Sequence, residues 1–81
     1  MTLKLLFFAT LRERAGTSEM TIEVEGPITV AALWQRLRRD ISGLAGYSGP
    51  VRFAVDQSYV DNAETLQDNA EVAFIPPVSG G

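Results

Sequence analysis

Short apolar runs separated by polar breaks predict a small sheet protein. Residues 3–9 are apolar and rich in aromatic side chains, and a charged break at residues 12–16 follows them, so we predict a first strand there. Residues 19–25 alternate between apolar and polar side chains, which is typical of a strand with one buried face. Gly26 and Pro27 are expected to end this second strand.

The spacing of apolar residues changes after Pro27 and predicts a helix. Thr29 can cap its first turn through the side-chain hydroxyl. Four apolar residues then recur at the spacing of one helical face: Val30, Leu33, Leu37 and Ile41. This amphipathic pattern is the only helical one that we find, so one helix is expected to cover one face of one sheet.

The second half of the chain predicts three further strands. A glycine-rich loop over residues 42–50 precedes two short ones, at residues 51–55 and 58–60, and residues 71–75 form the last. Proline follows at once and has no N–H group for a sheet ladder. The order β-β-α-β-β-β fits an α+β chain of the β-grasp, or ubiquitin-like, fold, in which the first and last strands are parallel neighbours in a mixed sheet.

Two parts of the chain are therefore expected. Residues 1–76 should form the β-grasp domain, and residues 77–81 should project from it as a tail that ends in Gly-Gly.

Alternation along the first and last strands predicts an apolar patch on the face away from the helix. Lys4 and Glu71 should point to solvent, and residues two positions apart on a strand share a face. The predicted patch has four members: Leu6, Phe8, Ala73 and Ile75. An exposed apolar patch on a small domain indicates a partner-binding site. The alternative is that the loop at residues 42–50 folds over it.

Composition excludes several kinds of active site. The 81 residues include no cysteine and no histidine, so the chain has no disulfide, no thiolate nucleophile, no Cys/His zinc site and no imidazole base. A net charge of −3 argues against nucleic-acid binding. No apolar run approaches the roughly 20 residues of a membrane span, and the start of the chain lacks the features of a signal peptide. We expect a cytoplasmic protein that binds no metal or cofactor and is no enzyme on its own.

The candidate chemistry lies in the last six residues: Pro76, Pro77, Val78, Ser79, Gly80 and Gly81. The prolines favour an extended exit from the sheet, and glycines without a Cβ can thread a narrow channel. The terminal carboxylate is a poor acyl donor until adenylation turns it into a mixed anhydride. Sulfur could then displace the nucleotide and leave a thiocarboxylate on Gly81. A Gly-Gly end by itself is typical of a frayed tail, but prolines directly before it favour a function.

Two segments resemble the small subunit of molybdopterin synthase. They are Leu5-Leu6-Phe7-Phe8-Ala9 with Leu11-Arg12-Glu13, and the final run from Asn69 to Gly81. The resemblance covers nearly the whole chain and is loosest over residues 42–50. It implies that Gly80 and Gly81 form the reacting end, that Phe8 and Ile75 face a partner, and that Pro76 and Pro77 form the exit of the tail. We expect Val78 and Ser79 to belong to the partner interface as well.

The resemblance also implies the partners. A ubiquitin-activating-type enzyme would adenylate Gly81 with ATP and magnesium, and a sulfur-delivery protein would supply the sulfur. The tail would insert into the large synthase subunit, in a complex of two small and two large subunits. There it would donate sulfur to cyclic pyranopterin monophosphate and form the molybdopterin dithiolene.

Three alternatives stay open at the level of sequence. The chain could carry sulfur for thiamin, cysteine or tRNA thiolation instead. It could be a ubiquitin-like protein modifier, although Lys4 is its single lysine and leaves little scope for chains built on internal lysines. It could also be a plain binding module, in which case Gly81 would be dispensable.

Overall fold

A computed structural model describes residues 1–77 of the chain. Five strands of this part form one sheet: β1 (Thr2–Phe7), β2 (Glu19–Glu23), β3 (Arg52–Val55), β4 (Ser58–Val60) and β5 (Glu71–Ile75). Their order across the sheet is β2-β1-β5-β3-β4. Strand β1 runs parallel to β5, and the other neighbours are antiparallel. The predicted mixed sheet with parallel first and last strands is confirmed.

The predicted helix is confirmed as α2 (Val30–Asp40), whose first turn is capped as expected. The Ala32 N–H donates to the Thr29 hydroxyl oxygen at 3.2 Å. Its apolar stripe lies on the sheet, with Val30, Leu33 and Leu37 buried. Ile41 ends the helix rather than continuing it, and its N–H donates to the carbonyl oxygen of Leu37.

Two further short helices correct the expectation of a single one. They are α1 (Ala9–Ala15) and α3 (Ser42–Ala45), the second of which lies within the predicted loop. Helix α1 begins at the last residue of the predicted first strand, which ends at Phe7 instead, and it runs into the predicted charged break. Each is held by one fully buried leucine, Leu11 in α1 and Leu44 in α3. Gly16 ends α1 with a φ of 80°, in the left-handed region that glycine adopts without steric strain. Helices this short show no periodicity, so their formation depends on tertiary packing.

The core lies between α2 and the sheet. Leu3, Leu5 and Phe7 of β1 all point into it, as the alternation predicted. Phe74 of β5 stacks on both Phe7 and Trp34, with ring centroids 5.4 Å apart in each pair. This packing holds the two central strands in one register, so their opposite faces present a fixed set of side chains.

Along residues 1–77, none of the helices combines the length and the apolar character that a membrane crossing requires.

Candidate partner-binding site

A row of paired residues crosses four strands on the face away from α2. Leu6 of β1 lies opposite Ala73 of β5, and Ala73 lies opposite Ala54 of β3. Ala54 in turn lies opposite Tyr59 of β4. Paired residues share a face of the sheet, so a large side chain stands at each end of the row and two methyl groups lie between them.

This row forms the centre of a trough of about 230 Å³, which we call the apolar trough. Eight residues line it: Leu6, Phe8, Ala54, Gln57, Tyr59, Glu71, Ala73 and Ile75. Phe8 is 44% exposed and Tyr59 is 67% exposed, which sets them apart from the other large apolar side chains of the described part. Two exposed aromatic side chains around a small apolar floor are suited to receive side chains of a partner protein.

All four residues predicted for the patch line the apolar trough. Leu6 and Ile75 are half-buried, and Phe8 is exposed. Ala73 is only 8% exposed, because its short side chain lies on the floor between larger neighbours. The alternative cover is absent from the described residues, since helix α3 at the start of the predicted loop packs on α1 and α2 instead. The trough is therefore open to a partner over residues 1–77.

The sequence analysis missed the half of the trough that the β3–β4 hairpin contributes. These residues are Ala54 of β3, Gln57 of the turn and Tyr59 of β4. A signal for Ala54 existed, because Phe53 beside it is buried and neighbouring residues on a strand face opposite ways. No local signal places Tyr59 against Ala54, because that contact depends on the hairpin register.

Charges border one end of the apolar trough, where β5 begins. The Lys4 ammonium lies 3.8 Å from the Glu19 carboxylate and 4.0 Å from that of Glu71. Exposed pairs of this kind contribute at most about 1 kcal/mol to stability. The positive charge of Lys4 at this border is therefore balanced by Glu19 and Glu71 of the same domain.

The opposite end of the trough leads to the start of the predicted tail. Pro76 and Pro77 line a second hollow of about 400 Å³, which we call the tail hollow, together with Ala9, Arg52, Tyr59 and Ile75. Tyr59 and Ile75 line both cavities, so the apolar trough and the tail hollow are adjacent on this face. The predicted residues Val78, Ser79, Gly80 and Gly81 lie outside the described residues, so their roles stay predictions.

The face as a whole is suited to binding a protein. Among residues 1–77, no three acidic side chains gather into a group that could hold a metal ion. In the same range, every buried polar side-chain atom has a hydrogen-bond partner. Among the described residues, the ionisable side chains that line the trough and the hollow are Arg52, Tyr59 and Glu71.

Comparison with known proteins assigns the chain to a family. The profile of the ThiS family matches residues 5–81. The chain belongs to the ThiS family. A relative from Escherichia coli K12 is 42% identical over 81 residues, which cover 98% of this chain and 99% of the relative. A human relative is 38% identical over 81 residues, which cover 96% of this chain and 92% of the relative. Both relatives are named molybdopterin synthase sulfur carrier subunit.

A solved structure shares the fold of this ThiS-family chain. It is a candidate molybdopterin converting factor subunit 1 from Pyrococcus furiosus, with a TM-score of 0.85 and 27% identity. The match covers 96% of this chain and 99% of that one. The predicted β-grasp fold and the predicted resemblance to small subunits of molybdopterin synthase are both confirmed.

Proposed function

We propose that this chain is the sulfur carrier subunit of a molybdopterin synthase and acts in molybdenum cofactor biosynthesis. One structural observation carries the proposal, namely that the apolar trough and the tail hollow lie side by side and share Tyr59 and Ile75. A partner seated in the trough would meet the start of the tail on the same face. Docking and delivery of the tail are thereby coupled in one surface.

The chemistry of the proposed carrier takes place at the carboxylate of Gly81. A ubiquitin-activating-type enzyme binds ATP and magnesium, and the Gly81 carboxylate attacks the α-phosphorus with release of pyrophosphate. Sulfur at the oxidation level of sulfide, supplied by a sulfur-delivery protein, then attacks the Gly81 carbonyl carbon, AMP leaves, and a thiocarboxylate remains. The large synthase subunit receives the tail, and two thiocarboxylated chains each pass one sulfur to cyclic pyranopterin monophosphate to form the molybdopterin dithiolene, with water restoring each Gly81 carboxylate.

The division of labour follows from the composition. This chain has no cysteine and no histidine, so its side chains supply no thiol and no imidazole base. The groups that activate Gly81, and those that bind the pterin, belong to the partners. Gly80 allows the tail to fit closely in each partner because it has no side chain.

The proposal is tested by the intact mass of the chain after it is produced in cells that contain the whole pathway. We expect a species heavier by one exchange of oxygen for sulfur, and fragmentation should map the exchange to Gly81. The matched controls are deletion of Gly81 and Gly80→Trp, which should fold normally and carry no sulfur. If the deletion variant still transfers sulfur, the proposed role of the tail is wrong.

A second measurement separates this client from other sulfur pathways. The thiocarboxylated chain is mixed with the large synthase subunit and cyclic pyranopterin monophosphate, and molybdopterin formation is followed. Sulfur loading without molybdopterin formation would assign the chain to another pathway. Conjugates joined to lysines of other proteins through Gly81 would support a modifier role instead.

A further inference from the structure

Arg52 is the cationic residue of the tail hollow. It lies on β3 opposite Ile75, the last residue of β5, and its side chain is exposed beside Pro76 and Pro77. Among the described residues that line the trough and the hollow, no other carries a positive charge. Arg52 therefore gives the tail end of this face a positive charge, whereas the described residues that line the trough include no cation.

The ring of Tyr59 positions the Arg52 guanidinium. Its central carbon lies 5.9 Å from the ring centroid, within the range of a cation–π contact. Such a contact orients the guanidinium plane without using its five N–H groups as donors to an oxygen. A planar group held in this way is prepared for a carboxylate, which it can bind through two parallel hydrogen bonds.

No described carboxylate balances Arg52. Within residues 1–77, the salt bridges use Lys4, Arg36 and Arg39 as their cations. Lys4, at the other end of the same face, is the one paired with Glu19 and Glu71. Asp61 lines a neighbouring hollow with Arg52 and Tyr59, but among the described residues no ion pair within 4 Å joins its carboxylate to Arg52.

We propose that Arg52, held by Tyr59, binds a carboxylate side chain of the large synthase subunit at the point where the tail enters it. This inference rests on the proposed function. Arg52 pairs with Ile75, which also lines the apolar trough, so Arg52 lies on the same outer face as the trough. A partner protein seated in the trough is therefore the source of the anion.

The contact adds orientation to an otherwise apolar interface. The Lys4 end of the face is balanced internally, whereas the Arg52 end attracts an acidic group. A partner with its acidic group at the wrong end would leave Arg52 unpaired and meet only the Lys4 cluster. Complementary charges at an interface contribute to partner choice and to the rate of association, and their effect falls with salt.

The test measures the binding of the full chain to the large synthase subunit from the same organism, at low and at high salt. Arg52→Glu reverses the charge, and Arg52→Leu removes it while keeping an apolar side chain. Arg39→Glu is the matched control, because it changes the net charge equally on the exposed side of α2, where Arg39 is 76% exposed. Phe8→Arg probes the apolar trough itself, and circular dichroism verifies that each variant is folded.

We expect Arg52→Glu to weaken binding by about tenfold or more at low salt, Arg52→Leu to weaken it less, and Arg39→Glu to leave it nearly unchanged. High salt should reduce the difference in affinity for the large subunit between the wild-type chain and Arg52→Glu. If Arg52→Glu binds like Arg39→Glu while Phe8→Arg fails to bind, the role of Arg52 is overturned and the proposed function stands. If the wild-type chain does not bind the large subunit, the proposed function and this inference both fail.

Discussion

Ala54 and Ala73 face each other across the pairing of β3 and β5, so two methyl groups form the floor of the apolar trough. Both are nearly buried, with 7% and 8% of their surface exposed. Their small size creates the trough, because Leu6 and Tyr59 stand above them at the two ends of the row. The depth of the proposed partner site thus depends on two residues with almost no exposed surface.

Filling the trough should block the partner and spare the fold. Ala54→Leu places a larger side chain in the open space of about 230 Å³ on the outer face. We expect binding to the large synthase subunit to weaken about tenfold or more, with the free energy of unfolding changed by less than about 1 kcal/mol. Calorimetric titration and urea unfolding measure the two quantities. The control is Ala32→Leu, at an exposed position of helix α2, which should change neither the affinity nor the stability.

The neighbours Phe7 and Phe8 should respond oppositely to truncation. Phe7 is 2% exposed and stacks on Phe74, so Phe7→Ala should lower the free energy of unfolding by about 3–5 kcal/mol. Phe8 is 44% exposed and lies outside the core, so Phe8→Ala should cost less than about 1 kcal/mol and mainly weaken partner binding. Urea unfolding of the two variants provides the measurement. Equal losses of stability would mean that Phe8 is a core residue.

The turn between β3 and β4 offers a site for stabilisation. Asp56 and Gln57 both have positive φ, at 49° and 72°, a conformation that glycine adopts without strain. Gln57→Gly should therefore raise the free energy of unfolding by about 0.5–1 kcal/mol. Thermal and urea unfolding measure this change, with Gln57→Ala as the control that keeps the strain. A loss of stability in Gln57→Gly would show that contacts of the Gln57 side chain outweigh the strain.

Two glycines near α3 should differ sharply in their tolerance of alanine. A Cβ on Gly43 would lie 1.9 Å from the carbonyl oxygen of Arg14, so α1 or α3 must shift. A Cβ on Gly46 would meet only the end of the Arg14 side chain, at 3.6 Å. Gly43→Ala should lower the free energy of unfolding by about 1–3 kcal/mol, and Gly46→Ala by much less. Similar unfolding midpoints in urea for the two variants would contradict the close packing of α1 on α3.

Local patterns in the sequence were enough to predict several parts of the molecule. Lys4 and Glu71 identified the outer faces of β1 and β5, because the side chains of a strand alternate with a period of two whatever the strand packs against. Thr29 likewise predicted the start of α2, because a hydroxyl cap acts within one turn of the helix. For the same reason the candidate tail could be proposed from its residues alone, although its structure lies outside the described part of the chain.

The short helices, and the half of the site on β3 and β4, depend on contacts between residues that are distant along the chain. Helices α1 and α3 are too short to show a period, and each depends on one leucine buried by the rest of the fold. Tyr59 and Arg52 reach the tail hollow because β3 pairs with both β4 and β5 in a particular register. Strand pairing joins residues that are distant along the chain, so no local pattern encodes which side chains will share a cavity.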